Sequence, residues 1–462
     1  MTRRPLIHFT AARNWLNDPN GLVFHEGRYH LFFQHNPFGD LHSHMSWGHA
    51  SSVDLMRWEE HPVAIPCDEG EWIFSGSAVV DADDTSGFGA PGQTPLVAVY
   101  TSVDAVTLIQ RQALAYSVDG GITWTKHAGN PVLDRGSRDF RDPKVFRYGD
   151  GADAFWVMVA VEAEDRQIVL YRSDDLRSWE YLSAYGPAGA VGGAWECPDL
   201  FPLALDDDPD DIRWVLVISL YPGGVAGGSG TQYVVGSFDG VRFTPDRPVG
   251  DDLADVDWLD LGRDCYAGVT FNGLPLHERT LIAWMSNWDY AAEVPTSPWR
   301  GSMTVPRRLS LVTVDGRPQL RSQPILPAGE AIEPTAELPA AARIDVRASL
   351  GGDGGGVCID LVGAEGRVSV GCRRGRVTVD RRAAGEIHPG FPSVESACVP
   401  GDADAVDVTI VVDTCSVEVF AAGGLRSITD LALLGDARRL EVSTEGTAVV
   451  ETLAVIDLGG GA

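Results

Sequence analysis

Short runs of alternating apolar and polar residues mark the last third of the chain. Val357-Cys358-Ile359-Asp360-Leu361, Arg367-Val368-Ser369-Val370, Val406-Asp407-Val408-Thr409-Ile410 and Ser416-Val417-Glu418-Val419-Phe420 all follow this pattern. A period of two turns every second side chain to one face of a strand. Turn residues separate the runs and none has helical spacing, so the stretch from about Ile344 onward is predicted to be a β-sandwich.

The first 300 residues contain strand-like runs too, such as Val169-Leu170-Tyr171, and a repeat follows them. A Ser, an Asp two positions on and an aromatic four or five residues later occur four times. Ser52-Val53-Asp54 leads to Trp58, Ser117-Val118-Asp119 to Trp124, Ser173-Asp174-Asp175 to Trp179, and Ser237-Phe238-Asp239 to Phe243. The Asp positions step by 65, 56 and 64 residues. Each copy reads as a hairpin turn. A four-stranded antiparallel sheet with its loops fills about that length, and several such sheets set radially close into a β-propeller. With strand-like segments at Leu281 to Trp284 and Met303 to Leu309, about five blades fit. Separate sandwiches would also supply short strands but would not predict an even step. The expected fold is therefore all-β, a five-bladed β-propeller followed by a C-terminal β-sandwich.

Composition supports this division. All 13 tryptophans fall at or before Trp299, and a stretch rich in Pro, Glu and Ala follows from Leu326 to Ala342. The expected organisation is a propeller over 1–325, a linker over 326–342 and a sandwich over 343–462. Lys plus Arg total 36 against 65 Asp plus Glu, a formal charge of -29. Such a surface repels phosphate backbones and anionic lipid, which argues against nucleic acid and membrane as partners. No run of 18 apolar residues occurs. The opening Met1-Thr2-Arg3-Arg4-Pro5 is not followed by an apolar region, so the expected location is cytoplasmic if the chain is full length and outside the cell if an export signal was trimmed. The 7 cysteines form no C-x-x-C pair, which predicts free thiols and no zinc site.

Propellers usually place chemistry where the innermost strand of each blade begins, roughly 30 to 45 residues upstream of the outer hairpin. Counting back from Asp54, Asp175 and Asp239 by 36, 33 and 43 residues reaches Asp18, Asp142 and Glu196. Counting back 45 from Asp119 reaches Phe74-Ser75-Gly76-Ser77 instead. A proline follows Asp18 and Asp142 directly, which biases both acids toward extended backbone. Asp-Pro alone is an ordinary turn dipeptide; three acids at similar phase are not explained that way. Convergent carboxylates without metal-ligand spacing suit glycosidic bond cleavage, in which one acid donates a proton and one ionised carboxylate attacks. Aromatics such as Trp47, Phe74 and Trp284 would pack on a sugar ring, and Asn17, Gln34 and Arg141 would bind hydroxyls. No cofactor or metal is needed.

The segments Asn17-Asp18-Pro19-Asn20-Gly21, Arg141-Asp142-Pro143 and Glu196-Cys197-Pro198-Asp199 resemble, in that order, the signature motifs of glycoside hydrolase family 32, the invertases, inulinases and levanases. Phe32-Phe33-Gln34-His35-Asn36-Pro37, Trp47-Gly48-His49-Ala50, Phe74-Ser75-Gly76-Ser77 and Trp284-Met285-Ser286-Asn287-Trp288 extend the resemblance, and Ser416-Val417-Glu418-Val419-Phe420 is similar to the family's sandwich motif. The resemblance implies a propeller joined to a sandwich. It also implies that Asp18 is the nucleophile, Glu196 the general acid/base and Asp142 the transition-state stabiliser. Asn17, Gln34, Trp47, Phe74, Ser75, Arg141 and Trp284 would hold the terminal fructosyl unit. Asp264, in a segment with Cys265 where the family usually has Phe, would join them.

The implied reaction is retaining hydrolysis of terminal β-D-fructofuranosyl residues of fructan or sucrose, with Asp18 and Glu196 about 5 to 5.5 Å apart. A fructosyltransferase or an endo-acting fructanase would use the same residues. A fructan-binding propeller would not need a nucleophile. Ser117-Val118-Asp119-Gly120-Gly121-Ile122-Thr123-Trp124 resembles the Asp-box of sialidases, but those enzymes need an arginine cluster where this chain offers mainly Arg141. Gly223 to Gly230 lacks the Gly-Lys-Ser/Thr of a phosphate loop and reads as a flexible loop. The Asp206 to Asp211 run reads as a solvated acidic loop. His42, His44 and His49 are candidates for the pocket rim, and Cys197 for tuning Glu196.

Overall fold

The computed structural model describes residues 4–250, 252–334, 337–352, 354–401, 404–436 and 438–459. These residues form five radial blades and a two-sheet sandwich, the architecture expected from the repeats. Blades 1 to 4 begin with the strands Asn14–His25, Glu71–Val80, Phe140–Tyr148 and Ala194–Leu205, and blade 5 with Tyr266–Thr270. Asp18, Ser75, Asp142 and Glu196 thus all lie near the start of an innermost strand, where the upstream count placed them.

The repeated Ser-x-Asp motif closes the outer hairpin of blades 1 to 4. Asp54 accepts from the backbone N–H of Met56 and Arg57 at 2.9 Å while Trp58 Nε1 donates to Leu55 O. Asp119 and Trp124, and Asp175 and Trp179, make the equivalent bonds. A short carboxylate that bonds its own backbone two or three residues on fixes the turn locally, which explains why the motif could be read without tertiary information. Blade 5 has no such turn; its strands Thr280–Met285 and Arg307–Val314 enclose the insertion 286–306. That insertion carries Trp299–Arg300, which pairs in parallel with Asn14 and Trp15 and closes the ring.

All five innermost strands are irregular at the same place. The register slips between Leu16 and Pro19, Phe74 and Gly76, Arg141 and Lys144, Glu196 and Asp199, and Tyr266 and Val269. A bulge gives one strand an extra residue and re-aims its side chain. Asp142 and Cys197 accordingly sit at φ 59° and 46°. The extended backbone expected for Asp142 from the following proline is therefore overridden by the bulge. At Gly76 a Cβ would lie 2.1 Å from Val99 O, so only glycine lets the chain pass beside Ser75. Below the bulges the channel is filled, with Lys144 paired to Asp199 at 3.2 Å and Thr270 donating to the same carboxylate.

The sandwich packs a six-stranded sheet on a five-stranded one. Val357, Ile359, Leu361, Val368, Val370, Val406, Val408 and Ile410 all point into its core, as their alternation predicts. The stretch expected as a linker contributes an edge strand, Glu330–Ile332, paired to Val449–Asp457; residues 335 and 336 of that stretch lie outside the described residues. Ser416–Ala421 is buried along its whole length, because Val417 and Val419 face the sandwich core while Glu418 and Phe420 face the propeller.

Candidate active site

Three carboxylates meet at one end of the propeller funnel. Asp18 Oδ2 accepts from Ser75 Oγ at 2.6 Å and from Cys197 Sγ at 3.4 Å, and Oδ1 accepts from Asn17 Nδ2 at 2.9 Å. Asp142 Oδ2 accepts the Cys197 N–H at 2.9 Å and lies 3.6 Å from the Cys197 sulfur. Cys197 therefore ties the nucleophile candidate of blade 1 to the acid of blade 3, and its neighbour Glu196 completes the cluster. Glu196 Oε1 accepts from Arg141 Nη2 and Nε at 3.1 and 3.2 Å, and Oε2 accepts from the Tyr266 hydroxyl. Its side chain is 25% exposed against 6% for Asp142, and Asp18 is buried.

Electrostatics divide the cluster. Burial pushes the Asp18 carboxyl up, and the charge of Glu196 adds to this, while the donors Ser75, Asn17 and Cys197 pull it back. Asp142 is raised by burial; Arg141 opposes the shift, and the charges of Glu196 and Asp18 reinforce it. Burial and the same carboxylates hold the Cys197 thiol and the Tyr266 hydroxyl protonated, so both remain donors. Like charges in a dry pocket resist joint ionisation, which lets a set of acids share protons.

The other expected residues fall in four places. Asn17 and Ser75 hold Asp18, and Arg141 holds Glu196. Phe74 is half-buried at the pocket, next to Ser75. Trp47 and Trp284 are both 0% exposed and lie in separate clusters: Trp47 Nε1 donates to Phe74 O, and the Trp284 ring lies 4.8 Å from that of Trp288 and 6.2 Å from that of Trp15. Gln34 is buried on the strand beside Trp47, and Gln34 Nε2 and Trp284 Nε1 have no acceptor among the described residues. Asp264 departs from expectation. It is 0% exposed and both its oxygens are committed to Tyr290, Arg381 and the Leu431 N–H. Packing of the sandwich against blade 5 turns it into the domain interface and away from the pocket.

Tyr266, Trp288 and Trp15 were not among the expected site residues. Trp15 Nε1 bonds Asn17 Oδ1 at 2.7 Å, and Trp288 stacks on Trp15 and meets His42 edge-on at 5.3 Å. Tyr266 opens the innermost strand of blade 5 and stands directly before its bulge, the phase of Arg141 and Glu196 in their blades. The repeat could have found it had blade 5 carried the outer Ser-x-Asp turn.

A five-bladed propeller whose funnel gathers two aspartates and a glutamate, joined to a sandwich, has the layout of a glycoside hydrolase. Comparison with known proteins narrows the class. The model of the glycosyl hydrolases family 32 N-terminal domain matches residues 8–324, and that of the family 32 C-terminal domain matches 327–457. The chain belongs to glycosyl hydrolase family 32. It is 41% identical to a levanase of Bacillus subtilis over 93% of this chain and 66% of the relative, and 45% identical to an extracellular exo-inulinase of Aspergillus niger over 70% and 64%. The chain thus spans just under two thirds of the length of these relatives. The crystal structure of exo-inulinase from Aspergillus awamori superposes with a TM-score of 0.91 at 37% identity, covering 99% of this chain and 98% of that one. A fructofuranosidase of Schwanniomyces occidentalis complexed with fructose gives 0.90 at 30%, with the same coverage.

Proposed function

We propose that the protein is a β-fructofuranosidase that removes terminal β-D-fructofuranosyl units from fructans, and from sucrose, releasing fructose with retained configuration. The observation that carries this reading is the bridge made by Cys197, which brings Asp18 and Asp142 together beside the more open Glu196.

Asp18 attacks C2 of the fructosyl ring. Its three donors stabilise the carboxylate against burial, and each must yield some hydrogen bonding as negative charge leaves the oxygen. Glu196, oriented by Arg141 and Tyr266, gives a proton to the leaving oxygen and then takes one from the attacking water. Its greater exposure suits a group that hands a proton to the departing sugar and regains one from water in each cycle. Asp142 accepts hydrogen bonds from fructose hydroxyls as the ring flattens toward an oxocarbenium ion. Gln34 Nε2 and Trp284 Nε1 are donors awaiting an acceptor, and relaxation of the pocket around a sugar would offer them one. The relatives named levanase, exo-inulinase and fructofuranosidase support the same substrate class.

Incubation with sucrose, inulin and levan, followed by chromatography of the products, tests the proposal. Free fructose released from chain ends is expected. Internal oligosaccharides would replace it with an endo mode, longer sugars with a transferase, and no product from any of the three substrates would overturn it.

A further inference from the structure

Between Asp257–Trp258 and Tyr266–Thr270 the propeller chain forms no strand of its own. It runs along Arg426–Leu431, the edge strand of the six-stranded sandwich sheet. The N–H groups of Leu261 and Asp264 donate to Ser427 O and Thr429 O at 2.9 and 3.0 Å, and the Arg263 N–H donates to Asp430 Oδ1 at 3.1 Å. A Cβ at Gly262 would stand 2.2 Å from Thr429 O, so only glycine lets the two backbones come this close. Arg381 of the sandwich, 0% exposed, locks the end of this contact. Its guanidinium donates to Asp264 Oδ2 at 2.6 Å, to Leu431 O at 3.0 Å, to the Tyr290 hydroxyl at 2.8 Å and to Ser393 Oγ at 2.9 Å. Tyr290 donates in turn to Asp264 Oδ1 at 2.6 Å, and the Leu431 N–H donates to Oδ2 at 2.8 Å.

Asp264 stands two residues before Tyr266, whose hydroxyl donates to Glu196. The bulge after Tyr266 shifts the register before Val269 and puts Ala267 at φ 54°, so the regular part of the strand does not by itself aim the Tyr266 ring. The segment on its other side is the one bonded to the sandwich. A planar guanidinium meets several acceptors in fixed directions, which a flexible ammonium cannot copy.

We propose that Arg381 is a positioning residue for the reaction: by fixing Asp264 it aims Tyr266, and Tyr266 in turn aims Glu196 at the leaving oxygen. This inference rests on reading Glu196 as the acid/base of a β-fructosidase. It gives the sandwich a part in proton donation besides its part in stability.

The test uses the full chain and two substrates that differ in their need for a proton. Sucrose requires proton donation to its leaving oxygen, whereas β-D-fructofuranosyl fluoride, with a far better leaving group, needs little. In Arg381→Lys, kcat/KM for sucrose is expected to fall about tenfold and that for the fluoride less than about twofold. Tyr290→Phe keeps the packed ring and removes one bond to Asp264; it should show the same selectivity in smaller degree, and it carries the test if the lysine variant does not fold. On a Tyr266→Phe background, Arg381→Lys should lower sucrose turnover little further, because the residue it aims is already lost. His8→Gln, which weakens the same seam at Asp413 and Glu418, should keep both rates. Full retention on sucrose, an equal loss on both substrates, additive losses with Tyr266→Phe, or a selective loss in His8→Gln would each overturn the proposal while leaving the pocket reading in place. Absence of fructose release by the native protein would overturn the pocket reading and this inference with it.

Discussion

The pocket of the three acids and the seam between propeller and sandwich both bury several carboxylates, and they treat them in opposite ways. In the seam the acids meet cations. Arg307, 0% exposed, donates to Asp260 at 2.8 Å and to Glu418 at 2.5 Å. His8 bridges Asp413 and Glu418 at 2.8 Å each, and Arg381 holds Asp264 at 2.6 Å. Burial alone would push Asp413 and Glu418 up, but His8 holds both below the usual carboxylate range, joined at Glu418 by Arg307. In the pocket Arg141 is the neighbouring cation, it lies against Glu196, and Asp18 and Asp142 are raised. The seam is not uniform, since Asp430, facing Glu395, is raised as well. The difference teaches where the fold tolerates electrostatic stress: most acids that join the domains face cations, while the pocket acids are crowded and left incompletely compensated.

The largest effect expected from breaking this comparison is on turnover. Asp18→Asn or Glu196→Gln should lower kcat for fructose release by about 10³-fold or more. The melting temperature should hold or rise, because a buried like charge is removed from the cluster. Turnover assays and thermal melts on the same samples check both halves, and a destabilised Asp18→Asn would show that the pocket acids are structural like those of the seam.

Arg307→Met should do the reverse. It strands Asp260 and Glu418 in the interior and should cost about 3–5 kcal/mol of stability, while the folded fraction keeps its kcat. Urea unfolding monitored by tryptophan fluorescence measures the first and assay well below the transition the second.

Proton linkage separates the two regions by pH. The His8 imidazole is pushed up to about 9 from 6.5 by Asp413 and Glu418, against burial. A raised folded value means that its stabilisation is fully present below pH 6.5 and lost as pH rises through about 9. Asp142 is raised to about 7 from 3.8, so its contribution is fully present below 3.8 and disappears as pH rises toward 7. Stability curves of His8→Gln should therefore be flatter between pH 6.5 and 9, and those of Asp142→Asn between pH 4 and 7. Loss of the wrong limb in either variant would reverse the assignment of charge states.

The smallest effect is expected at Ser75→Ala, which removes one donor from Asp18. Catalysis should fall about tenfold, with stability changed by less than about 1 kcal/mol. A steady-state assay and a thermal melt resolve this.

Local chemistry explains which parts of the site were legible in the sequence. Asp54, Asp119 and Asp175 bond backbone groups two to four residues away, so their turns are written within a few positions and give the blade period. That period then located Asp18, Asp142 and Glu196. The bulge that turns Asp142 to φ 59° was not legible, because it depends on how the strand meets its neighbour. Tyr266 was missed since blade 5 lacks the outer turn from which to count. Asp264 was misplaced because its partners, Arg381 and Leu431, come more than 100 residues later, and no local pattern reports such a distance.

The sequence by itself determined the strand alternation, the blade count and the three acids, since each depends on period, turn chemistry or side-chain type. The tertiary structure alone decided what each acid experiences: Asp18 gains Ser75 and Cys197 from other blades, Glu196 gains Tyr266, and Asp264 is claimed by the sandwich. The physical reason is that a carboxyl group's proton affinity and orientation follow from burial and from partners within a few ångströms, and folding draws those partners from anywhere along the chain.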